Sequence, residues 1–207
     1  MVSGIDGSGK TSVINTLQEI LKNKGYKSKY VWLRYNHFLT KLVLGFCKFS
    51  GFTRYEYFID SRVVYHEFYK SKIVSLFFIW FTFIDTLIAS FFKVYLSSKN
   101  YDGYIIIDRW VFDIMVDLEI DTRLSFSEHS FFYKLFTSLI PKEVDYFLIN
   151  REYNIVRLQR AESLNDKNFP ARYNLYDLHS ENQFIIAIDN NGNFSETIKN
   201  IEENLAI

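Results

Sequence analysis

The sequence has little cysteine, little proline and no excess charge of either sign. Its 207 residues include one cysteine, two prolines and eight glycines, and 24 basic residues balance 24 acidic ones. The single Cys47 cannot form an intramolecular disulfide and leaves no cysteine-based zinc site. The zero net charge argues against a nucleic-acid partner bound through a general basic excess. Length and the absence of linkers predict one domain, 1–207, large enough to bury its own core.

One long apolar run raises the question of a membrane. Residues 73–92 are mostly apolar and long enough to span a bilayer. Asp85 lies well inside this run, where a carboxylate costs about 2.5–3.5 kcal/mol on insertion. We therefore expect a buried helix in which Asp85 pairs with an arginine across the core, rather than a membrane span. No signal peptide is recognisable, and a cytoplasmic location is expected.

Apolar strands alternate with helices along the chain. Short continuous apolar runs predict buried strands at 30–33, 104–107, 144–149 and 184–188. Helices are expected after Lys10, over 38–49, 61–98, 111–120, 155–163 and 171–179, and over 195–205 with Ser195 as its N-cap. This alternation predicts an α/β fold, a parallel sheet with helices on both faces in three layers.

The strongest motif lies at the start of the chain. Residues 4–11 fit G-x-x-x-x-G-K-[ST] at every position, and an amphipathic helix follows immediately. Such a loop turns its backbone N–H groups around a phosphate, while the lysine neutralises phosphate charge and the hydroxyl binds Mg²⁺. The predicted ATP-binding residues are Gly4, Ile5, Asp6, Gly7, Ser8, Gly9, Lys10, Thr11 and Ser12. Because only three residues precede Gly4, the first strand is expected to be truncated.

This loop, together with Asp108-Arg109-Trp110 at the end of a predicted strand, resembles the thymidylate kinase family. Phe169, Arg172 and Tyr176 resemble the segment after that family's lid, and residues 184–205 resemble its C-terminal unit. The resemblance implies a P-loop kinase fold with a lid near 151–170. It also implies ATP and Mg²⁺ as cofactors and small nucleotides as substrates, with dTMP converted to dTDP as the first candidate reaction. A homodimer is expected, since helices so rich in phenylalanine must cover their apolar faces.

The resemblance also implies roles for single residues. Asp6 would contact the acceptor's sugar hydroxyl, Arg109 would clamp its phosphate, and Asp108 would organise Mg²⁺ or the acceptor. The implied catalytic residues are Lys10, Asp108, Arg109, Arg157 and Arg160; the implied acceptor-binding residues are Asp6, Arg34, Arg109 and Arg172; the implied metal ligands are Thr11 and Asp108. Residue types alone leave open a structural ion pair for Asp108-Arg109 and a solvated basic face for Arg157 and Arg160.

Several positions depart from the family pattern. Position 7 is glycine, so the loop supplies no arginine and the lid must do so. Segment 33–37 keeps Arg34 without the family's proline and glycines, and segment 84–86 keeps Asp85 without its arginine. The sequence therefore matches the family motifs that bind the phosphate donor, but it does not match those that contact the base of the acceptor. Two alternatives remain, a P-loop kinase for another small acceptor and a nucleotide-binding protein without kinase activity, attached to a membrane or partner through its apolar helices.

Overall fold

A computed structural model describes residues 1–34, 36 and 38–205, so Tyr35 and His37 of segment 33–37 lie outside the described residues. The strands are β1 Val2–Ser3, β2 Ser28–Trp32, β3 Thr53–Tyr57, β4 Arg62–His66, β5 Tyr104–Asp108, β6 Phe147–Asn150 and β7 Ile186–Asp189. Five of them form one sheet in the order β2-β5-β1-β6-β7, and every neighbouring pair is parallel.

Helices fill the connections between the strands. They are α1 Lys10–Asn23, α2 Thr40–Phe49, α3 Lys72–Ser90, α4 Leu96–Ser98, α5 Val111–Thr122, α6 Phe131–Thr137, α7 Tyr153–Leu158, α8 Ala161–Asn165, α9 Phe169–Ser180 and α10 Phe194–Leu205. A π-helical turn, Phe91–Tyr95, joins α3 to α4, and a 3₁₀ turn, Phe68–Lys70, precedes α3.

Both faces of the sheet are buried. Side chains alternate across a strand, so Ile106 and Ile107 of β5 enter two separate apolar cores. The core that holds Ile106 lies under α1 and α10, and the core that holds Ile107 lies under the remaining large helices. Burial on both faces explains why the strands are continuous apolar runs. The predicted α/β class, with a parallel sheet between two helical layers, is confirmed.

The short strand β1 lies at the centre of the sheet. Val2 is paired with both Asp108 of β5 and Phe147 of β6. The backbone N–H of Phe147 donates to the backbone carbonyl of Met1 at 2.8 Å. The glycine-rich loop therefore leaves the sheet at the carboxyl end of β1, between β5 and β6. Ligands bind at this edge in open α/β sheets.

The prediction of a helix over 61–98 is wrong for its first residues. Residues 62–66 form β4, which pairs with β3 as an antiparallel hairpin outside the main sheet. Val63 and Tyr65 are buried while Arg62 is exposed, the alternation that half-buried strands show. The β-branched pair Val63-Val64 favours the strand, and the long apolar run that follows it obscured this signal.

Two smaller predictions are also wrong. Helix α10 begins at Phe194, and its cap is Asn193, whose Oδ1 accepts from the backbone N–H of Ser195 at 3.0 Å. Asp85 does not pair with an arginine: its carboxylate accepts the backbone N–H groups of Phe38, Leu39 and Thr40 at 2.8–2.9 Å. The Thr40 hydroxyl adds a fourth bond at 2.6 Å. Asp85 thus serves as the N-terminal cap of α2 from a different helix.

The apolar run is the only segment of the described residues that is long and apolar enough to cross a membrane. This segment, Lys72–Ser98, has a mean hydropathy of 2.0 in its most apolar window, of which 44% is buried within the fold. Helix α3 packs against α2 and α5. Its opposite side exposes apolar side chains, among them Ile73, Phe77 and Trp80. The helix therefore belongs to the core on one side and presents an apolar surface on the other.

Candidate active site

The glycine-rich loop follows β1 and is shaped by contacts that only glycine permits. Gly4 has φ +139°, and a Cβ there would lie 2.6 Å from the carbonyl oxygen of Ile149. Gly9 has φ +99°, and a Cβ there would collide with the side-chain amide of Asn190. That amide donates to the carbonyl of Ser8 at 2.7 Å. The loop is therefore held in place by β6 and by the end of β7.

Lys10 is the first residue of α1 and lies buried beneath the loop. Its Nζ donates to the carbonyl of Ile5 at 2.6 Å. Burial and, to a smaller extent, the nearby Arg109 guanidinium together lower the pKa of Lys10 to about 7 against the opposing effect of the carboxylates. The ammonium group is therefore held where an added negative charge would stabilise its charged form.

Three arginines from separate parts of the chain converge on Asp6. Arg109 forms an ion pair with the Asp6 carboxylate, while Arg34 lies 3.6 Å and Arg160 lies 3.8 Å from its oxygens. Burial raises the pKa of Asp6, but the surrounding cations outweigh it and hold this pKa well below its usual range. Asp6 therefore stays ionised and orients the guanidinium groups around the loop.

Arg109 adopts an unusual backbone conformation directly after β5. Its φ is +58°, and among the described non-glycine residues only Arg123 shares a positive φ. The backbone N–H of Arg109 donates to the carbonyl of Val2 at 3.0 Å, which ties the residue to β1. Its buried Nη1 has no hydrogen-bond partner in the described part of the chain. Strained residues held in this way concentrate at ligand-binding sites.

Two carboxylates flank Arg109 and differ in their surroundings. Asp113 is fully buried and accepts hydrogen bonds from Ser3, from Tyr176 at 2.7 Å and from the backbone N–H of Trp110 at 3.1 Å. Asp108 accepts the Tyr30 hydroxyl at 2.7 Å on one oxygen, while its other oxygen is buried without a partner among the described residues. Asp113 is therefore structural, and Asp108 keeps an oxygen available for a ligand.

A second cluster of charges lies beside the first. Arg34 donates two hydrogen bonds of 2.9 Å to the Asp117 carboxylate, and Arg172 of α9 pairs with the same group. Burial raises the pKa of Asp117, but the two guanidinium groups outweigh it and lower this pKa overall. Asp117 thereby connects α5 to α9 and to the segment after β2.

The predicted lid forms two short helices, α7 and α8, and approaches the loop closely. A Cβ on Gly7 would lie 3.1 Å from the Val156 carbonyl oxygen and from Cβ of Gln159. Glycine at position 7 therefore allows α7 to pack onto the loop. Arg160 faces Asp6, whereas the exposed Arg157 lies over the ring of Tyr153, 5.9 Å from its centroid. Of the two predicted lid arginines, the structure brings Arg160 alone to the loop.

Two adjoining spaces result. A cleft of about 580 Å³ is bounded by the loop, by Thr11 and Ser12, by Asp108 and Arg109, and by Arg160. A smaller cavity of about 310 Å³ lies between α2, α3 and α5 and is lined by both Arg34 and Arg172. Arg34 borders both spaces, so it marks the passage from one to the other.

Sequence reasoning missed three residues of the cleft. Arg151, Gln159 and Trp32 line it beside the loop. Arg151 directly follows β6 and Trp32 ends β2. The carboxyl ends of parallel strands meet at one edge of the sheet, so the rule that located Arg109 was sufficient to find both. No comparable signal marks Gln159, which reaches the loop only because α7 packs there.

Comparisons with known proteins bear on the fold. No protein-family model matches this sequence, and no curated protein matches it. The structure is similar to that of thymidylate kinase from Ehrlichia chaffeensis, with a TM-score of 0.53 at 16% sequence identity. The match covers 100% of this chain and 96% of that chain. At this identity the likeness shows the fold, and the predicted P-loop kinase type of α/β fold is confirmed.

Proposed function

We propose that this chain transfers the γ-phosphoryl group of ATP to the phosphate of a nucleoside monophosphate, with dTMP as the first candidate acceptor. The observation that carries the proposal is the convergence of Lys10, Arg109 and Arg160 on one cleft beside the glycine-rich loop. Phosphoryl transfer depends mainly on positioning and on neutralising the charge of the moving group, so cations from several elements must meet.

The residues of the cleft suit Mg·ATP. The loop offers the N-terminus of α1, and its glycines at positions 4 and 9 keep side chains away from the backbone. In the complex, Lys10 would bind phosphate oxygens, and Thr11 with the unpartnered oxygen of Asp108 would hold Mg²⁺. The metal would supply charge neutralisation on the phosphates.

The charge balance of the cleft favours a second phosphate group. Five basic side chains line it, and they face two carboxylates, Asp6 and Asp108. Nη1 of Arg109 makes no hydrogen bond among the described residues and lies 3.8 Å from Asp113, so it has donor capacity for an acceptor phosphate beside its pair with Asp6. The adjoining cavity begins at Arg34, on the same side of the loop, and offers space for the remainder of the acceptor.

The proposal is tested by acceptor-dependent release of ADP from Mg·ATP. We expect Lys10→Ala to abolish turnover, because the ammonium group buried beneath the loop is the cation placed to bind the phosphates of ATP. Lys22→Ala, a change of an exposed lysine on the same helix, is the matched control and should retain activity. Turnover by Lys10→Ala at the wild-type rate would contradict the proposal.

A second pair of variants separates acceptor binding from ATP binding. Arg109→Ala should raise KM for the acceptor more than it weakens ATP binding, because in the proposed complex Arg109 binds the acceptor phosphate while Lys10 and the loop bind ATP. Arg160→Ala should lower kcat more than Arg157→Ala, since Arg160 borders the cleft and Arg157 packs on Tyr153. The opposite order for the two lid arginines would contradict the role proposed for Arg160.

A further inference from the structure

Helix α5 carries three aspartates at intervals of four residues. Asp113, Asp117 and Asp121 therefore share one face, and each lies about 6 Å further along the helix than the one before it. The first is close to Arg109 at 3.8 Å, and the second binds Arg34 and Arg172. This face thus leads away from the loop and into the cavity of about 310 Å³.

Asp121 differs from the other two aspartates because, among the described residues, it makes no contact that stabilises the fold. Asp113 and Asp117 each accept several hydrogen bonds. Asp121 is partly buried and lines the cavity, but it makes no hydrogen bond or ion pair with another residue of the described chain. A half-buried carboxyl group that the fold does not use is available to a ligand that enters the cavity.

Thr82 of α3 shows the same feature on the opposite wall. Its side chain is 9% exposed and lines the cavity, and its buried Oγ1 has no hydrogen-bond partner among the described residues. The neighbouring polar groups are already engaged: Thr86 donates to the Thr82 carbonyl at 2.6 Å, and Asp85 caps α2. Two uncommitted polar groups therefore face a space that is lined by apolar side chains such as Phe78 and Leu118 and also by the charged groups of Arg34 and Arg172.

We propose that Asp121, assisted by Thr82, recognises the base of the acceptor nucleotide by pairing with the adjacent N–H and C=O groups of thymine. This inference rests on the proposed function, because it places the acceptor phosphate at Arg109. Asp121 lies eight residues beyond Asp113, or about 12 Å along the helix. That separation is comparable with the length of a nucleotide from its phosphate to the far edge of its base.

The neighbours of Asp121 determine the direction in which its pKa is shifted. Burial raises the pKa of Asp121 well above its usual value, and the adjacent Asp117 carboxylate raises it further. Arg172 and Arg34 oppose this effect, and Asp166 adds to it. The pairing of both arginines with Asp117 reduces their effect on Asp121.

A carboxyl group that keeps its proton presents an O–H donor next to a C=O acceptor. In the proposed pairing the O–H donates to O4 of thymine, and the C=O accepts the N3–H. No proton is transferred. The Thr82 hydroxyl is then available for the remaining carbonyl of the base, since it can both donate and accept.

An asparagine at position 121 provides the decisive test, because its amide presents the same donor next to the same acceptor. We expect Asp121→Asn to keep KM for dTMP within about threefold of the wild type. Asp121→Ala should raise this KM by about tenfold or more, because the base loses both of its hydrogen bonds to the side chain. KM for ATP should not change in either variant. Asp102→Ala, at an exposed turn before β5, is the control for the loss of an acidic residue.

Two further arms identify the paired atoms. N3-methyl-dTMP lacks the N3–H donor, so it should bind the wild type about tenfold more weakly than dTMP but bind Asp121→Ala no more weakly than dTMP does. KM for dTMP should rise with pH in the wild type, since ionisation removes the donated proton. Asp121→Asn should lack this rise. Other charged groups near the cavity, such as His66, are common to both proteins.

The outcomes separate this inference from the proposed function. If the wild type phosphorylates dTMP and Asp121→Ala does so with an unchanged KM, the role of Asp121 is refuted while the kinase activity stands. If Asp121→Asn is as impaired as Asp121→Ala, the protonated pairing is refuted. If calorimetry shows that the wild type binds no dTMP and no nucleoside monophosphate is phosphorylated, both proposals fail.

Discussion

Asp85 offers a stability prediction that tests the assignment of this residue as a remote helix cap. The side chain is 2% exposed, and its carboxylate accepts three backbone N–H groups and the Thr40 hydroxyl at the start of α2. Asp85→Ala removes all four bonds. We therefore expect a marked loss of folding free energy from a residue that the sequence places in the middle of an apolar helix.

The size of this loss follows from the individual contacts. A hydrogen bond to a charged group contributes about 1.5–3 kcal/mol, and a lost cap with one bond typically costs about 1 kcal/mol. Phe38 is exposed, so its N–H can turn to water after the substitution, whereas Thr40 is fully buried. We estimate about 3 kcal/mol for Asp85→Ala, which lowers Tm by about 6–12 °C in a chain of this size. Asp85→Asn keeps one acceptor oxygen and should cost about 1–2 kcal/mol.

Urea denaturation followed by circular dichroism measures these differences. Thr40→Val, which deletes a single bond to Asp85, should cost about 1 kcal/mol. Asp102→Asn, at an exposed position, should stay within about 0.5 kcal/mol of the wild type. An Asp85→Ala variant as stable as the Asp102→Asn control would refute the capping role.

Three further predictions concern the loop and the exposed helices. The pKa of Lys10 lies near 7 without ligand and should rise when phosphates bind, so ATP binding at about pH 8 should take up protons; calorimetry in two buffers should detect this uptake in the wild type and not in Lys10→Met. Gly9→Ala should weaken ATP binding at least about tenfold, since its Cβ meets Asn190. Gly25→Ala, also at positive φ but with open space around it, should cost stability alone; equal ATP affinity in the two variants would contradict the loop geometry. Light scattering should find a dimer that Phe46→Asp, on the exposed face of α2, converts to monomer; a wild-type monomer would refute this expectation.

Local signals in the sequence were sufficient where one short segment determines the structure. The glycine-rich loop needs glycines at positions 4 and 9 because their φ angles are positive, and the spacing in the sequence shows this directly. The run 104–107 predicts a strand buried on both faces, and β5 is such a strand. Gly25 follows the end of α1, and its positive φ is the conformation in which glycine commonly terminates a helix.

Local sequence patterns did not predict the structure where residues far apart in the chain determine it. The hairpin β3–β4 was missed because the apolar helix that follows it dominated the local pattern. The partners of Asp85 are backbone groups 45–47 residues away, and no periodicity within α3 indicates them. A buried aspartate in an apolar helix suggests only that it has some partner.

The sequence predicted which residue types form the candidate site, but it did not predict the contacts between them. Arg109 and Arg34 were singled out from motifs, but their meeting at Asp6 depends on three chain segments that fold together. No sequence pattern distinguishes Asp121, because an aspartate on a helix is ordinarily exposed. Its significance arises from the cavity that α3 and α5 form between them.

The most direct test of the account is the identity of the product. Purified chain should be incubated with Mg·ATP labelled in the γ-phosphoryl group and with each of the common nucleoside monophosphates, nucleosides, or no acceptor, and the products separated by chromatography. The account predicts that the label appears in a nucleoside diphosphate, with dTDP from dTMP as the strongest product, and that Lys10→Ala forms none. Label that appears only as inorganic phosphate, or in no acceptor at all although ATP binds, would contradict the kinase assignment and leave a nucleotide-binding protein.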